Sequence, residues 1–191
     1  MCGRYEAPEM RTAEEILGAL LEGKLDSRFA SHEMAAEGSF EAYPGCTAPV
    51  ILMRRGKPAA VPLYWGFQGA GGRPVFNARQ ESALEKPMFR ESVLRQRCVI
   101  PTLGYYEWNR AHQRFRFLRE RCQILLLAGI YTKDRDRGRF CVLTTEAETS
   151  LQAIHPRMPV ILRPEDISGW FSGEAALPLM QRSLPLQANA E

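Results

Sequence analysis

Between residues 98 and 144 the chain carries five short apolar runs, each bounded by turn residues: Cys98 to Pro101, Tyr105 to Trp108, Phe115 to Leu118, Gln123 to Tyr131 and Phe140 to Thr144. They are rich in Val, Ile, Tyr, Phe and Thr, the side chains that pack well on a pleated surface. Strands bounded by turns at such close intervals predict a strand-rich block, whose topology sequence order alone does not fix. The charged turn Lys133 to Arg139 joins the last two runs. Upstream, Val50 to Met53 and Ala60 to Tyr64 predict two more strands joined at Arg55-Gly56-Lys57.

Helical signals are few and short. Thr12 followed by Glu15 predicts a capping box, with Ile16, Leu17, Leu20 and Leu21 as the apolar stripe behind it. Pro87 to Arg97 predicts a helix with Phe89, Val93 and Leu94 inward. Glu148 to Ile154 predicts a short helix, and Pro164 to Phe171 another with proline in its first turn. Residues 23–45 are polar and turn-rich, and Phe67 to Pro74 is a glycine-rich loop. The pattern is α+β: a single compact domain with a curled, barrel-like, mainly antiparallel sheet and short surrounding helices. It is expected over residues 1–175, with 176–191 as a mobile tail.

Composition narrows the function classes. A chain of 191 residues, 45% hydrophobic, suits one folded domain and excludes a wholly disordered one. No apolar run approaches the roughly 18 residues of a membrane span. Arg4, Glu6 and Glu9 interrupt any signal-peptide core, so the chain is expected to stay in the cytoplasm. The net charge of +3 permits contact with a phosphate backbone without requiring it. Five cysteines without a CxxC pair, and three histidines without ligand spacing, predict neither a disulfide framework nor a metal site. Cys98, Cys122 and Cys141 lie in apolar runs and read as core.

Four segments carry chemistry. Cys2 follows the initiator methionine, whose removal would give one residue both a free α-amine and a thiol. A 1,2-aminothiol condenses with an aldehyde to an imine and then closes a thiazolidine ring; an N-terminal cysteine can also attack an amide. The bland alternative for Cys2 is an ordinary chain terminus. Asn77 and Arg79 offer an amide and a phosphate-binding fork, or else a helix cap and a surface Arg79–Glu81 pair. Glu107 alternates with aromatics in Gly104-Tyr105-Tyr106-Glu107-Trp108, which makes it an acid/base group if partly buried and a solvated glutamate if not. His155, held before Pro156, suits proton transfer, or is a loop histidine with one satisfied hydrogen bond.

Together these blocks say more than each alone. Met1-Cys2-Gly3-Arg4-Tyr5, Asn77-Ala78-Arg79-x-Glu81, Gly104-Tyr105-Tyr106-Glu107-Trp108 and Ile154-His155-x-Arg157-Met158-Pro159 follow one another in order, supported by Tyr43-Pro44, Trp65-Gly66 and Lys86-Pro87-Met88-Phe89. The chain resembles the SOS-response-associated peptidase (SRAP) family of abasic-site-processing proteins from Met1 to about Phe171. The resemblance implies a compact α+β domain that binds single-stranded DNA holding an abasic site. It implies a thiazolidine link between Cys2 and the open-chain sugar aldehyde, which shields the lesion, and a thiol peptidase activity that releases Met1. In this reading Cys2 is the nucleophile, Asn77 holds the N-terminus and the ring, Glu107 assists the amine, and His155 serves the sugar oxygen. Arg4, Arg79, Thr144 and Arg157 would contact DNA, with Pro44 and Trp65 bordering its channel. No cofactor and no metal is implied; the protein is expected as a monomer, associated with the nucleoid when bound to DNA. Two departures stand out: the Phe67–Gly72 loop has no aromatic wedge beyond Phe67, and Glu41 stands where many relatives have asparagine. The rival classes are an N-terminal-cysteine amidohydrolase and a non-covalent single-stranded-DNA-binding module.

Overall fold

The structure, a computed structural model, describes residues 2–30, 38–119, 122–133, 137–173 and 186–191. Its strands, in chain order, begin with β1 (Arg4–Pro8), β2 (Ser39–Ala42), β3 (Thr47–Arg54), β4 (Lys57–Trp65), β5 (Phe67–Gln68), β6 (Pro74–Val75) and β7 (Asn77–Arg79). They continue with β8 (Arg97–Thr102), β9 (Tyr105–Trp108), β10 (Arg114–Leu118), β11 (Leu125–Lys133), β12 (Gly138–Glu146), β13 (Arg157–Pro159), β14 (Ile161–Leu162) and β15 (Gln187–Ala190). The helices are α1 (Met10–Leu21), α2 (Leu25–Arg28), α3 (Gln80–Ala83), α4 (Pro87–Arg95) and α5 (Ile167–Ser172).

Strands β4, β3, β8, β11 and β12 pair in that order, and a short parallel ladder from β12 back to β4 closes them into a ring. The expected barrel-like sheet is therefore present, and its other ring ladders are antiparallel. A second antiparallel sheet, β15-β10-β9-β1-β2, lies against it. Both faces are buried along β8, most of β11 and the middle of β12. Leu125 and Leu127 join one apolar cluster with Tyr5, Tyr105 and Phe117 of the second sheet, while Leu126, Ala128 and Ile130 join another with Ile16, Phe89, Val93 and Trp170 of the helices. The period-2 geometry of a strand sends alternate side chains to the two cores, which is why these runs read as continuously apolar.

Several local expectations are corrected. Helix α1 starts at Met10, where the Ala13 amide bonds the Glu9 carbonyl; Thr12 is buried and no side chain caps the helix. Of its expected stripe, Leu21 is exposed, as is Leu94 on α4, which ends at Arg95. Residues 149–154 form successive turns rather than a helix. The glycine-rich loop is a small hairpin of β5 and β6, and Phe67 is core against Phe89. At the C-terminus, residues 187–190 are strand β15, paired with β10, rather than mobile tail; residues 174–185, like part of the 133–139 turn, lie outside the described residues.

Arg97 is one pin of this architecture. It is buried, and its guanidinium donates to the carbonyls of Val93 and Leu94 at the end of α4 and of Trp170 and Phe171 in α5, at 2.5–3.1 Å. It thus satisfies carbonyls that two helix ends leave without intrahelical partners. Gly173, at φ +86°, ends α5 in the left-handed region, and a Cβ there would sit 2.5 Å from Arg97 Nη2. Arg97→Ala should cost about 3 kcal/mol, because several buried carbonyls lose their donor at once. A thermal melt checks this: the expected fall in Tm is about 6–12 °C.

Candidate active site

Four separate segments bring the candidate residues together. Strand β1 pairs antiparallel with β9, Arg4 opposite Tyr106 and Tyr5 opposite Tyr105, and this sets Cys2 beside the end of β9 that bears Glu107. Gly104 makes the start of β9 possible: its φ is +153°, and a Cβ would meet Phe117 O at 3.0 Å and Leu118 Cδ2 at 2.9 Å. Strand β7 runs parallel to β12, with Asn77 opposite Val142, so Asn77 is a strand residue and not a helix cap. Its Nδ2 donates to the Cys2 carbonyl at 2.9 Å, and its buried Oδ1 has no partner among the described residues.

The alternation on β9 turns Tyr105 and Glu107 inward. Glu107 is only 4% exposed, whereas Trp108 is at the surface and Arg114 stacks over Tyr106 at 3.8 Å. The solvated-glutamate reading therefore fails on burial. His155 Nδ1 lies 3.9 Å from Glu107 Oε1. The same nitrogen is 3.0 Å from the Arg157 amide and 2.9 Å from the Arg157 carbonyl, so either tautomer has a backbone partner. The imidazole is held by the backbone of Arg157, and 23% of the side chain stays exposed.

Cys2 is fully buried. Burial pushes its thiol well above the ordinary range, and the nearby Glu107 charge pushes it further, against a hydrogen bond from the Arg4 backbone. The sulfur therefore rests as a protonated thiol and needs a base to react. Tyr105 is likewise raised, first by burial and then by the charges of Cys2 and Glu107. Met1 lies outside the described residues.

The surface candidates separate into two groups. Arg79 is exposed, Pro44 is half-buried, and Arg4 pairs with Glu41 at 3.2 Å while its guanidinium lies 5.3 Å from the Tyr43 ring centroid. Glu41 also pairs with Arg114 at 2.8 Å, so it bridges two cations on the outer sheet. The other three are buried or already paired. Trp65 is fully buried between Tyr5, Phe76 and Phe140, with its indole N–H on the Phe76 carbonyl, so it fills the core and borders no channel. Thr144 is fully buried on β12. Arg157 makes a bidentate pair with Glu81, at 2.8 and 3.0 Å, and donates to the Thr144 carbonyl, so Glu81 partners Arg157 and not Arg79. The Glu81–Arg157 clamp escaped sequence reading because its two halves are 76 residues apart.

A ring of strands backed by a second sheet, with a buried Cys2 held by Asn77 beside Glu107, and His155 3.9 Å from that carboxylate, defines an α+β protein with a candidate site at the cysteine. Residues 1–190 match the family model of the SOS response associated peptidase (SRAP), and the chain belongs to that family. The abasic site processing protein YoaM of Bacillus subtilis is 30% identical over 136 residues, 66% of this chain and 60% of YoaM. The abasic site processing protein YedK of Escherichia coli is 28% identical over 184 residues, 91% of this chain and 81% of YedK. The matched segment thus spans somewhat under two thirds of YoaM. A phage-related protein of Bordetella bronchiseptica shares the fold at a TM-score of 0.76 and 19% identity, over 100% of this chain and 94% of that one. A protein of Bacteroides thetaiotaomicron does so at 0.73 and 21%, over 99% and 91%. Among the described residues no helix is long and apolar enough to cross a membrane.

Proposed function

We propose that the protein captures abasic sites in single-stranded DNA through a covalent thiazolidine link to Cys2. The observation that carries this reading is a buried cysteine just before β1 whose carbonyl is held by Asn77 and which lies beside the buried Glu107, itself 3.9 Å from His155. Removal of Met1 gives Cys2 an α-amine beside its thiol. The amine attacks the sugar aldehyde carbon, and the carbinolamine loses water to give an imine. The thiol then adds to the same carbon, its proton passes to the nitrogen, and the five-membered ring is closed.

Each neighbour has a task in that sequence. An abasic deoxyribose is mostly a closed hemiacetal, and opening it moves a proton at the ring oxygen; His155, anchored but partly exposed, is the group suited to it. The amine must shed protons and the carbinolamine must expel water, and Glu107 is the buried carboxylate beside Cys2. Asn77 fixes the Cys2 carbonyl through Nδ2 and keeps Oδ1 as a buried acceptor for the amine. Intact-mass analysis of purified protein tests the reading. Loss of Met1 and a mass gain of one oligonucleotide with abasic DNA, but not with intact DNA, is the expected result; no gain after prolonged incubation would sink it.

Arg79 is the exposed cation nearest this machinery in sequence, two residues from Asn77. Arg79→Ala should weaken single-stranded DNA binding similarly for all sequences and lower the salt slope by about 0.7, the value of one phosphate contact. Titrations at several salt concentrations measure this, and an unchanged slope would leave Arg79 without a DNA role.

A further inference from the structure

We propose that the end of the strand ring remote from Cys2 is a second contact for single-stranded polynucleotide, gripping phosphates at Arg54, Arg55 and Lys133. This deepens the DNA-binding reading above and rests on it for the choice of ligand. A groove of about 500 Å³ opens there, with Leu52, Leu63 and Tyr131 in its lining beside those three cations. Trp65, at the far end of β4, lies at the level of Tyr5, three residues from Cys2, with ring centroids 4.8 Å apart. At about 3.3 Å per residue, the run from Trp65 back to Lys57 spans about 25 Å. The groove runs from Arg54 and Arg55 at that remote turn to Leu63, two residues short of Trp65, and shares no lining residue with the cysteine site.

Charge and backbone point to the same ligand. Residues 54–57 hold three cations and no acid, and residues 133–139 hold four cations against two acids, so two turns carry +5 where the whole chain carries +3. Arg54, Arg55, Lys57 and Lys133 are exposed and have no ion-pair partner among the described residues. The guanidiniums of Arg137 and Arg139 lie 4.7 and 4.9 Å from the Tyr64 ring centroid and extend the basic surface beyond the groove. Repeated cations over such a length suit a chain of phosphates better than a single small anion. Arg55 adds an independent sign. Arg54 pairs with Lys57 across a two-residue turn in which Arg55 has φ +52° and Gly56 φ +78°. Asparagine or glycine is the favoured residue at the first of these positions. An arginine there sets a cation at the lip of the groove at a backbone cost.

The test uses an intact 20-nucleotide oligothymidylate and protein carrying Cys2→Ser, so that non-covalent binding alone is read. Arg54→Gln, Arg55→Asn and Lys133→Gln are combined; asparagine tolerates the backbone at 55. The expected result is a salt slope lower by about 2, from about 0.7 per lost phosphate contact, with the Tm unchanged. A charge-keeping variant, Arg54→Lys with Lys133→Arg, should retain the wild-type slope. Shortening the strand to 4 nucleotides should remove the difference between triple variant and parent, because so short a strand cannot reach both places. An unchanged slope with the 20-mer overturns the proposal. So does loss of binding to phosphatidylserine vesicles with oligonucleotide binding intact, which would assign the groove to a membrane surface. If wild-type protein binds the 20-mer through this groove but never links abasic DNA, the covalent reading fails and the groove stands.

Discussion

Cys2→Ser is expected to abolish the heat-stable adduct with abasic DNA, while non-covalent binding to the same strand stays within about twofold. The thiol closes the ring; an oxygen in its place leaves the product at the imine, which water reverses. Phosphate contacts and the Asn77 bond to the residue 2 carbonyl do not involve the sulfur. Because position 2 is fully buried, the serine hydroxyl costs about 1–3 kcal/mol if it finds no partner. A melting curve must therefore accompany the assay, and Cys2→Ala serves as the apolar control. Denaturing gels after heating read the outcome. An undiminished adduct from folded Cys2→Ser protein would remove the thiol from the mechanism.

The second large effect falls on the two groups proposed to move protons. Glu107→Gln and His155→Ala should each slow capture by about 10²–10⁴, the usual worth of one positioned acid or base. Glutamine keeps the shape of the buried side chain, so the loss reads on proton transfer and not on packing. His155→Ala carries a further consequence. Breakdown of the thiazolidine retraces its formation, so a group that assists closure assists opening. Release of Cys2 should then slow with capture, and the extent of linking at equilibrium should change less than either rate. Transfer of pre-linked protein to excess competitor abasic DNA measures this. Slow capture with wild-type release would confine His155 to opening the free sugar ring.

The ring strands were legible because burial on both faces writes long apolar runs with short turns, as in Leu125–Lys133 and Gly138–Glu146. The misread elements each have a local reason. Strand β15 is Gln-Ala-Asn-Ala, a sequence with no strand preference; it is a strand because β10 offers an open edge of backbone donors and acceptors. Thr12 has the chemistry of a cap, but the chain turns into α1 straight from Pro8, so the threonine falls inside the first turn and packs. Among the site residues, the types were readable and their exposure was not. Trp65 closes a strand punctuated by Pro58 and Pro62, where alternation gives no clear face, and only the ring shows that it points inward. Glu107 is the converse: strand alternation was correct, but which of its two faces was core depended on the partner sheet.

The site is stitched from residues far apart along the chain: Asn77 reaches Cys2 across 75 positions, and His155 lies beyond Glu107 by three strands, β10, β11 and β12. During synthesis the cysteine emerges long before the histidine loop. Long-range pairing of this kind is slow to nucleate, because loop closure must precede the contacts that reward it. On the proposed function, an unfinished chain therefore carries the cysteine without the full set of groups assigned to help it. Folding, then, does not create the reactive group: it assembles the neighbours that speed the reaction and buries the thiol so that only a substrate fitting the completed site reaches it.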